Sequence, residues 1–345
     1  ESWHILAIMA PLIGNGFWAY IDCPNKLIPD NHWPLGHLAI GINFGTYMTK
    51  SLKDYVWPIV GFAAVAFSGW MLYHQLRDIS FEDIVDSLYA ISFSDWVLAV
   101  LATLAAYAAL AGYDRLALKH LNKRISWGFI AISSFTAYAI GHNLGASVLS
   151  GGVVRYRAYS SKGLTAAEIG VLVAFCSFTF SLAAILLGGM VMLMQPSLIQ
   201  RFFEDMSLWV PFISGVLMLG FVLLYVLGSR LKFRSLKFRR FALEYPRPAI
   251  VAQQLIIGPL ELLAAAAIVY FALPDALHIS YVVVLGIFLA SFSMALLSHA
   301  PGGLGVLEVC FLIALPDVDP ADVVAALLVF RFLYLLIPLA LSLVF

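Results

Sequence analysis

Two stretches of the chain set a pair of glycines beside charge in apolar surroundings. One reads Ser150-Gly151-Gly152-Val-Val-Arg155-Tyr156-Arg157; the other reads Pro301-Gly302-Gly303-Leu-Gly305-Val-Leu-Glu308. A helix broken at membrane depth exposes backbone N–H groups that protein, water or ligand must satisfy. The N-terminus of a half-helix favours an anion such as a phosphate. Arg155 and Arg157 are candidates for a phosphodiester, because a guanidinium fork matches phosphate bidentately. The alternative is that they anchor a cytoplasmic boundary, and their i, i+2 spacing does not place them on one helix face. Glu308 either complements the dipole of the helix it opens or holds an ammonium group on a lipid head. The glycines either let a lipid approach the backbone or only permit tight helix packing.

Glu261 lies deep in an apolar run. An acid inside a membrane is costly enough to be a functional candidate, with a buried polar pairing as the other reading. Arg331, in the last apolar run, is a partner for either acid. His142 and His299 flank the two expected breaks, as hydrogen-bonded core histidines or as groups that touch a head group or handle protons. Thr165-Ala-Ala-Glu168 matches a capping box, and Asp319-Pro320-Ala-Asp322 reads as N-cap, N1 proline and first-turn acid. There is no P-loop, G-x-S-x-G, HExxH or paired cysteine in the sequence. Cys176 and Cys310 lie in apolar runs as small core residues. His4, His32 and His37 lack ligand spacing. No catalytic residue, metal or cofactor is expected.

Composition names the scaffold that must hold these groups. Of 345 residues, 62% are hydrophobic and 12% charged, and mean hydropathy is +0.92. A soluble globule carries roughly twice that charge, so the chain is expected to be an all-α polytopic membrane protein. Lys+Arg and Asp+Glu both number 20, which leaves no bulk charge for nucleic acid. An odd three cysteines do not make a secreted disulfide scaffold. A span needs about 20 apolar residues. Runs that reach or approach this are 56–73, 96–113, 127–149, 166–194, 208–228, 249–273, 281–298 and 323–345, with a shorter piece at 304–315. That amounts to about eight helical segments, without the alternating segments of a β-barrel. Residues 80–91 place Phe81, Ile84, Val85 and Leu88 on one face and Glu82, Asp83 and Asp86 on another, as in a helix lying in the interface. Residues 1–53, rich in Pro, Asn, Gly, His and Trp, read as an extension, interfacial or adding one span; residues 54–345 form the transmembrane domain. The chain begins at Glu1 and ends at Phe345 inside an apolar run, so it is expected to continue beyond both.

Cytoplasmic loops are enriched in Lys and Arg. Loops 114–125 and 229–247 are strongly basic and expected inside; 77–95 is acidic and expected outside. The basic-apolar run 230–240 suits an anionic leaflet. Loop 150–165 carries Arg155, Arg157 and Lys162, so 127–149 leaves and returns on the inner side, with Gly141, His142, Asn143 and Gly145 at its tip. Loops 274–280 and 316–322 suit the outside, so 281–315, broken at Pro301-Gly302-Gly303, leaves and returns there. Two re-entrant elements entering from opposite faces are the signature of an inverted repeat.

The stretch Gly141-His-Asn-Leu-Gly-Ala-Ser-Val-Leu-Ser-Gly-Gly-Val-Val-Arg-Tyr-Arg-Ala-Tyr-Ser160, running on to Gly163-Leu-Thr-Ala-Ala-Glu-Ile-Gly170, resembles the multiple peptide resistance factor family, the bacterial lysyl-phosphatidylglycerol synthase/flippases. Pro301-Gly-Gly-Leu-Gly-Val-Leu-Glu308 and Arg331-Phe-Leu-Tyr-Leu-Leu-Ile-Pro338 are similar to its flippase half, over roughly residues 56–345. The resemblance implies a flippase in the bacterial cytoplasmic membrane. It would move aminoacylated phosphatidylglycerol to the outer leaflet and so protect against cationic antimicrobial peptides. It also implies an aminoacyl-transferase domain in a longer chain, which leaves this segment non-catalytic. On this reading Ser150, Gly151, Gly152, Arg155 and Arg157, with Glu261, His299, Pro301, Gly302, Gly303, Gly305, Glu308 and Arg331, contact the lipid. Intramembrane glycines permit a homodimer. The rivals are the membrane part of a lipid aminoacyl-transferase, an ion- or proton-coupled solute transporter dependent on Glu261 or Glu308, and a scaffold for lipid enzymes.

Overall fold

The computed structural model describes residues 80–143, 147–203, 205–231, 236–238, 241–243, 246–274, 279–298 and 303–344. The expected extension 1–53 and first span 56–73 lie outside them. The described chain is built almost wholly of helices, and five of these are long and apolar enough to cross a membrane. The chain is thus an all-α polytopic membrane protein.

Helix α1 (Phe81–Ala90) opens with the Ser80–Asp83 capping box. The Ser80 backbone N–H, donating to Asp83 Oδ2, holds that carboxyl below the usual aspartate range. Ile84, Val85 and Leu88 turn inward while Phe81 and Tyr89 stay exposed. Outward rings at a helix of this kind suit the headgroup level. Helix α2 (Phe93–His120) is capped by Ser92 and runs well past the expected end at residue 113. Residues 114–120, expected in a cytoplasmic loop, are its last two turns, because Tyr107, Leu110, Asp114 and Ala117 continue one helical face that stays buried. This correction moves Asp114 from water into the protein interior.

Helices α3 (Trp127–Asn143) and α4 (Ser147–Ser160) follow. Helix α5 (Ala166–Met194) starts at the expected Thr165–Glu168 capping box, and a short 3₁₀ turn, Pro196–Arg201, follows it. Helix α6 (Trp209–Arg230) turns Val210, Ile213, Leu217 and Leu224 outward, the face of a span that meets lipid. The basic run after it contains two short antiparallel strands, β1 (Leu236–Phe238) and β2 (Phe241–Leu243). No strand was expected there, although alternation of basic and apolar residues has the period of a strand. Helix α7 (Pro248–Ala272) packs along α2, and alanines on both are buried, Ala102, Ala106 and Ala109 on α2 and Ala264, Ala265 and Ala266 on α7. Small side chains let membrane helices approach closely. Helices α8 (Tyr281–Ser298), α9 (Val306–Ala314), α10 (Pro320–Phe330) and α11 (Ile337–Ser342) complete the chain. Asp319 caps α10 as expected, donating nothing and accepting from the Ala321 N–H at 2.9 Å. Between α10 and α11 lies one π-helical segment, Arg331–Leu336.

Side-chain contacts fix where each helix pair opens. Lys123, after α2, pairs with Glu168 at the start of α5 at 2.7 Å. Lys162, after α4, sits over the ring of Phe129 in the first turn of α3. Lys119 at the end of α2 donates to Gln253 near the start of α7. The α3/α4 pair therefore opens at the basic end of α5. At the other end, Arg201 Nη1 donates to the Ala314 carbonyl that closes α9, and Gly286 of α8 lies against Val191 and Leu198. The α8/α9 pair opens there. Helix α5 is about 43 Å long at 1.5 Å per residue, enough to cross the bilayer, whereas α3, at about 25 Å, and α4, at about 21 Å, stop short. Two helical hairpins thus enter from opposite ends of one spanning helix. They meet where His142, at the tip of the first, lies 6.5 Å from Phe292 of the second.

Candidate functional site

The hairpin junction carries most of the charge buried among the described residues, in three clusters. The first lies toward the basic end. Asp114 of α2 is fully buried and receives both Nε (3.1 Å) and Nη2 (2.9 Å) of Arg155 on α4. Tyr159 donates its hydroxyl to Asp114 Oδ2 at 2.9 Å, and the Cys176 thiol faces Oδ1 at 3.4 Å. The Arg155 guanidinium also lies 4.4 Å over the ring of Tyr138. A buried ion pair is tolerable only when further hydrogen bonds support it, and here Tyr159 adds one to the carboxylate. Arg155, expected to face a phosphate, is occupied by Asp114. Arg157 is exposed on the other side of the same helix, as its spacing required.

The second cluster surrounds Glu261 of α7, which is 2% exposed. Tyr334 of the π segment donates its hydroxyl to Oε1 at 2.7 Å. The Tyr113 hydroxyl lies between the Gly258 carbonyl (3.1 Å) and Oε2 (3.4 Å). The Tyr107 hydroxyl donates to the Tyr334 carbonyl, which fixes that residue from behind.

The third cluster is at the second tip. Arg331 Nε donates to Glu308 Oε1 at 2.8 Å, and Nη2 lies 3.4 Å from the Gly303 carbonyl. The Gly305 N–H donates to Glu308 Oε2 at 2.9 Å, so the acid also caps the helix it opens. Glu308 thus both caps the helix that it opens and pairs with Arg331. Gly303 and Gly305 have φ of +65° and +80°, a backbone that other L-residues rarely adopt. The Glu308 and Arg331 side chains keep 12% and 11% of their surface open. Leu304 and Phe332 beside them are more than half exposed, so the pair borders the lipid-facing surface.

Arg331, open to either acid from sequence, pairs with Glu308; Glu261 takes tyrosine hydroxyls instead. Gly151 and Gly152, expected at a helix break, lie inside α4, where the backbone N–H groups are bonded within the helix. Helix α4 already begins at Ser147, ahead of both glycines. A Cβ on Gly151 would stand 3.0 Å from the Ala137 carbonyl and 3.2 Å from Arg155 Nη1, so this glycine lets α4 close on α3. Ser150 falls in α4; its side chain, like His299, Pro301 and Gly302, lies outside the described residues. His142 stacks on the Tyr334 ring at 5.4 Å with its buried Nδ1 unpartnered. Asn143 Nδ2 donates to the Leu335 carbonyl. The π segment is thus gripped by the first hairpin through Leu335 and Tyr334 and by the second through Arg331. Sequence reasoning missed Asp114, Tyr113, Tyr138, Tyr159 and Tyr334. The helical spacing of Asp114 with Tyr107 and Leu110 was the signal available for it. Among the described residues no His, Cys, Asp and Glu side chains group in threes that could hold a metal ion.

The sequence profile of the family described as the lysylphosphatidylglycerol synthase TM region matches residues 59–342. An uncharacterized protein of Synechocystis is 31% identical over 239 residues, 68% of this chain and 72% of the relative. The inner membrane protein YbhN of Escherichia coli is 30% identical over 242 residues, 69% of this chain and 74% of the relative. The phosphatidylglycerol lysyltransferase of Staphylococcus aureus is 24% identical over 307 residues, 86% of this chain but 35% of that enzyme.

Proposed function

The chain belongs to the lysylphosphatidylglycerol synthase TM region family, and from that premise we propose that it is a flippase for aminoacylated phosphatidylglycerol. It would work in the bacterial cytoplasmic membrane, carry the lipid from the inner to the outer leaflet, and thereby lower the attraction of the surface for cationic antimicrobial peptides. Residues 54–345 would be the transport domain and residues 1–53 an extension to it.

The observation that carries this reading is the Glu308–Arg331 pair at the meeting point of two opposed hairpins, flanked by exposed apolar side chains. An aminoacylated phosphatidylglycerol head carries a phosphate anion and an ammonium cation. Such a head can replace one ion pair by two, phosphate on Arg331 and ammonium on Glu308. The phosphate and that ammonium are then both paired in a poorly hydrated site, where an unpaired charge is expensive. Unmodified phosphatidylglycerol can satisfy Arg331 but leaves Glu308 alone, so selectivity arises from the penalty on the wrong lipid. Leu304 and Phe332 would carry the acyl chains past the junction. Arg155, engaged by Asp114, would hold the first hairpin in place while the second site binds.

The test is lipid movement in proteoliposomes, with fluorescent phosphatidylglycerol carrying or lacking a lysyl head and chemical quenching of the outer leaflet. Protein-dependent quenching beyond half the signal is expected, faster for the lysyl lipid and lowered by Glu308→Gln. Equal movement of both lipids would identify a broad scramblase, and no movement by folded protein overturns the reading. Similarity to the lysyltransferase over most of this chain supports a second reading, the membrane part of a lipid aminoacyl-transferase. Lysyl transfer from lysyl-tRNA to phosphatidylglycerol by the full-length protein would establish it.

A further inference from the structure

Glu261 is the acid that the head-group exchange leaves out, and counting hydrogens around it shows what it carries. The Tyr334 hydroxyl supplies one hydrogen to Oε1 at 2.7 Å. The Tyr113 hydroxyl has a single hydrogen, and the Gly258 carbonyl at 3.1 Å, which has only lone pairs, is the nearer acceptor. Tyr113 Oη and Glu261 Oε2 then face each other at 3.4 Å as two oxygens, a contact that is attractive when Oε2 itself bears a hydrogen. Every donor is used if the side chain is the neutral acid. An ionised carboxylate would be buried without a cation, at a cost of several kcal/mol.

The groups around it offer no compensation. From α2 come Tyr107 and Tyr113, from the π segment Tyr334, and from α5 Cys176, beyond Tyr113. From α6, Tyr225 reaches α7 through Gln254. From α8, Tyr281 donates to the Leu263 carbonyl, and α10 contributes Asp322 in its first turn. The nearby Arg155 is committed to Asp114. Stacked on the Tyr334 ring is His142 with its unpartnered Nδ1. Tyr334 thus joins a buried acid without a cation, a second titratable group and, three residues before it, Arg331 of the head-group pair.

We infer that Glu261 is a proton-binding site of the transport cycle, protonated when the hairpin junction is empty and ionised when a cationic head occupies it, so that lipid and proton move in opposite directions. The inference rests on the flippase reading for its lipid. When the head enters from the inner leaflet, the Oε2–H bond breaks and the proton leaves to the inner aqueous side. A lysyl head brings two ammonium groups against one phosphate, and the carboxylate balances the second. After the head departs to the outer leaflet, Oε2 takes a proton from the outer side. One lipid has moved out, one proton has moved in, and the site is as it began.

Infrared difference spectroscopy of the chain in phosphatidylglycerol vesicles tests the proton site without transport. A protonated-carboxyl band is expected at neutral pH. It should vanish in Glu261→Gln, persist in Glu308→Gln, and diminish with proton release when lysyl-phosphatidylglycerol is added. Tyr334→Phe, which deletes the donor to Oε1, should shift that band, and this decides the assignment if the glutamine variant does not fold. No band, or a band unmoved by both variants, overturns the inference. In transport, an imposed pH difference should concentrate the lysyl lipid in the acidic-side leaflet. The limit for one-for-one exchange is about tenfold per pH unit. Wild-type movement indifferent to the gradient overturns the coupling and leaves the flippase standing. No lysyl-lipid movement at all overturns the flippase and the exchange together, with the infrared band still reporting the proton site separately.

Discussion

The two ion pairs at the hairpins differ in how finished they are. Asp114–Arg155 is closed: a bidentate contact, a tyrosine hydroxyl, a thiol and an aromatic face surround it, and the acid has no exposed surface. Glu308–Arg331 is open on one side, bordered by exposed Leu304 and Phe332, and spends part of its bonding on the glycine backbone. Both put opposite charges where water is scarce. A pair enclosed on every side holds two helices together; one with surface to spare can exchange partners.

The largest effect should come from breaking the closed pair. Asp114→Asn leaves the Arg155 charge buried without its partner and should cost about 3–5 kcal/mol, read as lost folded yield and a lower Tm in detergent. Replacing both residues together, Asp114→Leu with Arg155→Met, should recover much of that stability, since apolar substitution of a whole buried pair is often neutral. If the double variant is no more stable than the single, the pair is not the lock described here. At the open pair, Glu308→Gln should leave Tm nearly unchanged, because the amide oxygen can still accept from the Gly305 N–H. Lysyl-lipid transport should fall about 10- to 100-fold, the worth of one charge-assisted contact of roughly 1.5–3 kcal/mol. Equal losses of stability in the two variants would erase the contrast.

Glycines sharpen the comparison further. Gly303→Ala should destabilise the second tip by about 1–2 kcal/mol from its left-handed backbone alone. Its Cβ would also run into Leu307 Cδ1 and stand 3.0 Å from the Ala295 Cβ. The smallest effect belongs to Gly152→Ala in the first hairpin, where nothing lies within 4 Å of the added carbon. It should stabilise α4 by about 0.5–1 kcal/mol, seen as a slight rise in Tm.

Much of this arrangement was legible in the chain. Loop charges pointed to two hairpins entering from opposite ends, but residues 150–160, expected in a loop, are the second arm of the first hairpin, with Arg155 buried in it. The boxes at Thr165–Glu168 and Asp319–Pro320 announced their helix starts, because capping is a contact between residues three or fewer apart. What stayed hidden was pairing across distance. Arg155 and Asp114 lie 41 positions apart, and nothing local states that a charge at the end of an apolar run continues the helix. The Gly151–Gly152 pair misled for a related reason: glycine marks both helix breaks and close helix packing, and only the position of Ala137 on the neighbouring helix tells them apart. The choice between Glu261 and Glu308 as the partner of Arg331 likewise depends on how α7 and α9 are placed around the π segment.

That segment, Arg331–Leu336, has a consequence for how the chain tolerates change. A π turn holds a residue more than an α turn needs, and in a regular helix each residue turns the chain by about 100°. Deleting that surplus residue would return the run to regular α-helix and leave the residues beyond Leu336 facing nearly as before, whereas deleting one from the regular turns of α10 would rotate everything after it by about that angle. Arg331 would then part from Glu308, Tyr334 from Glu261 and His142, and Leu335 from Asn143. The π segment is thus a place where this helix can absorb a change of length without turning its far end, and α10 is not.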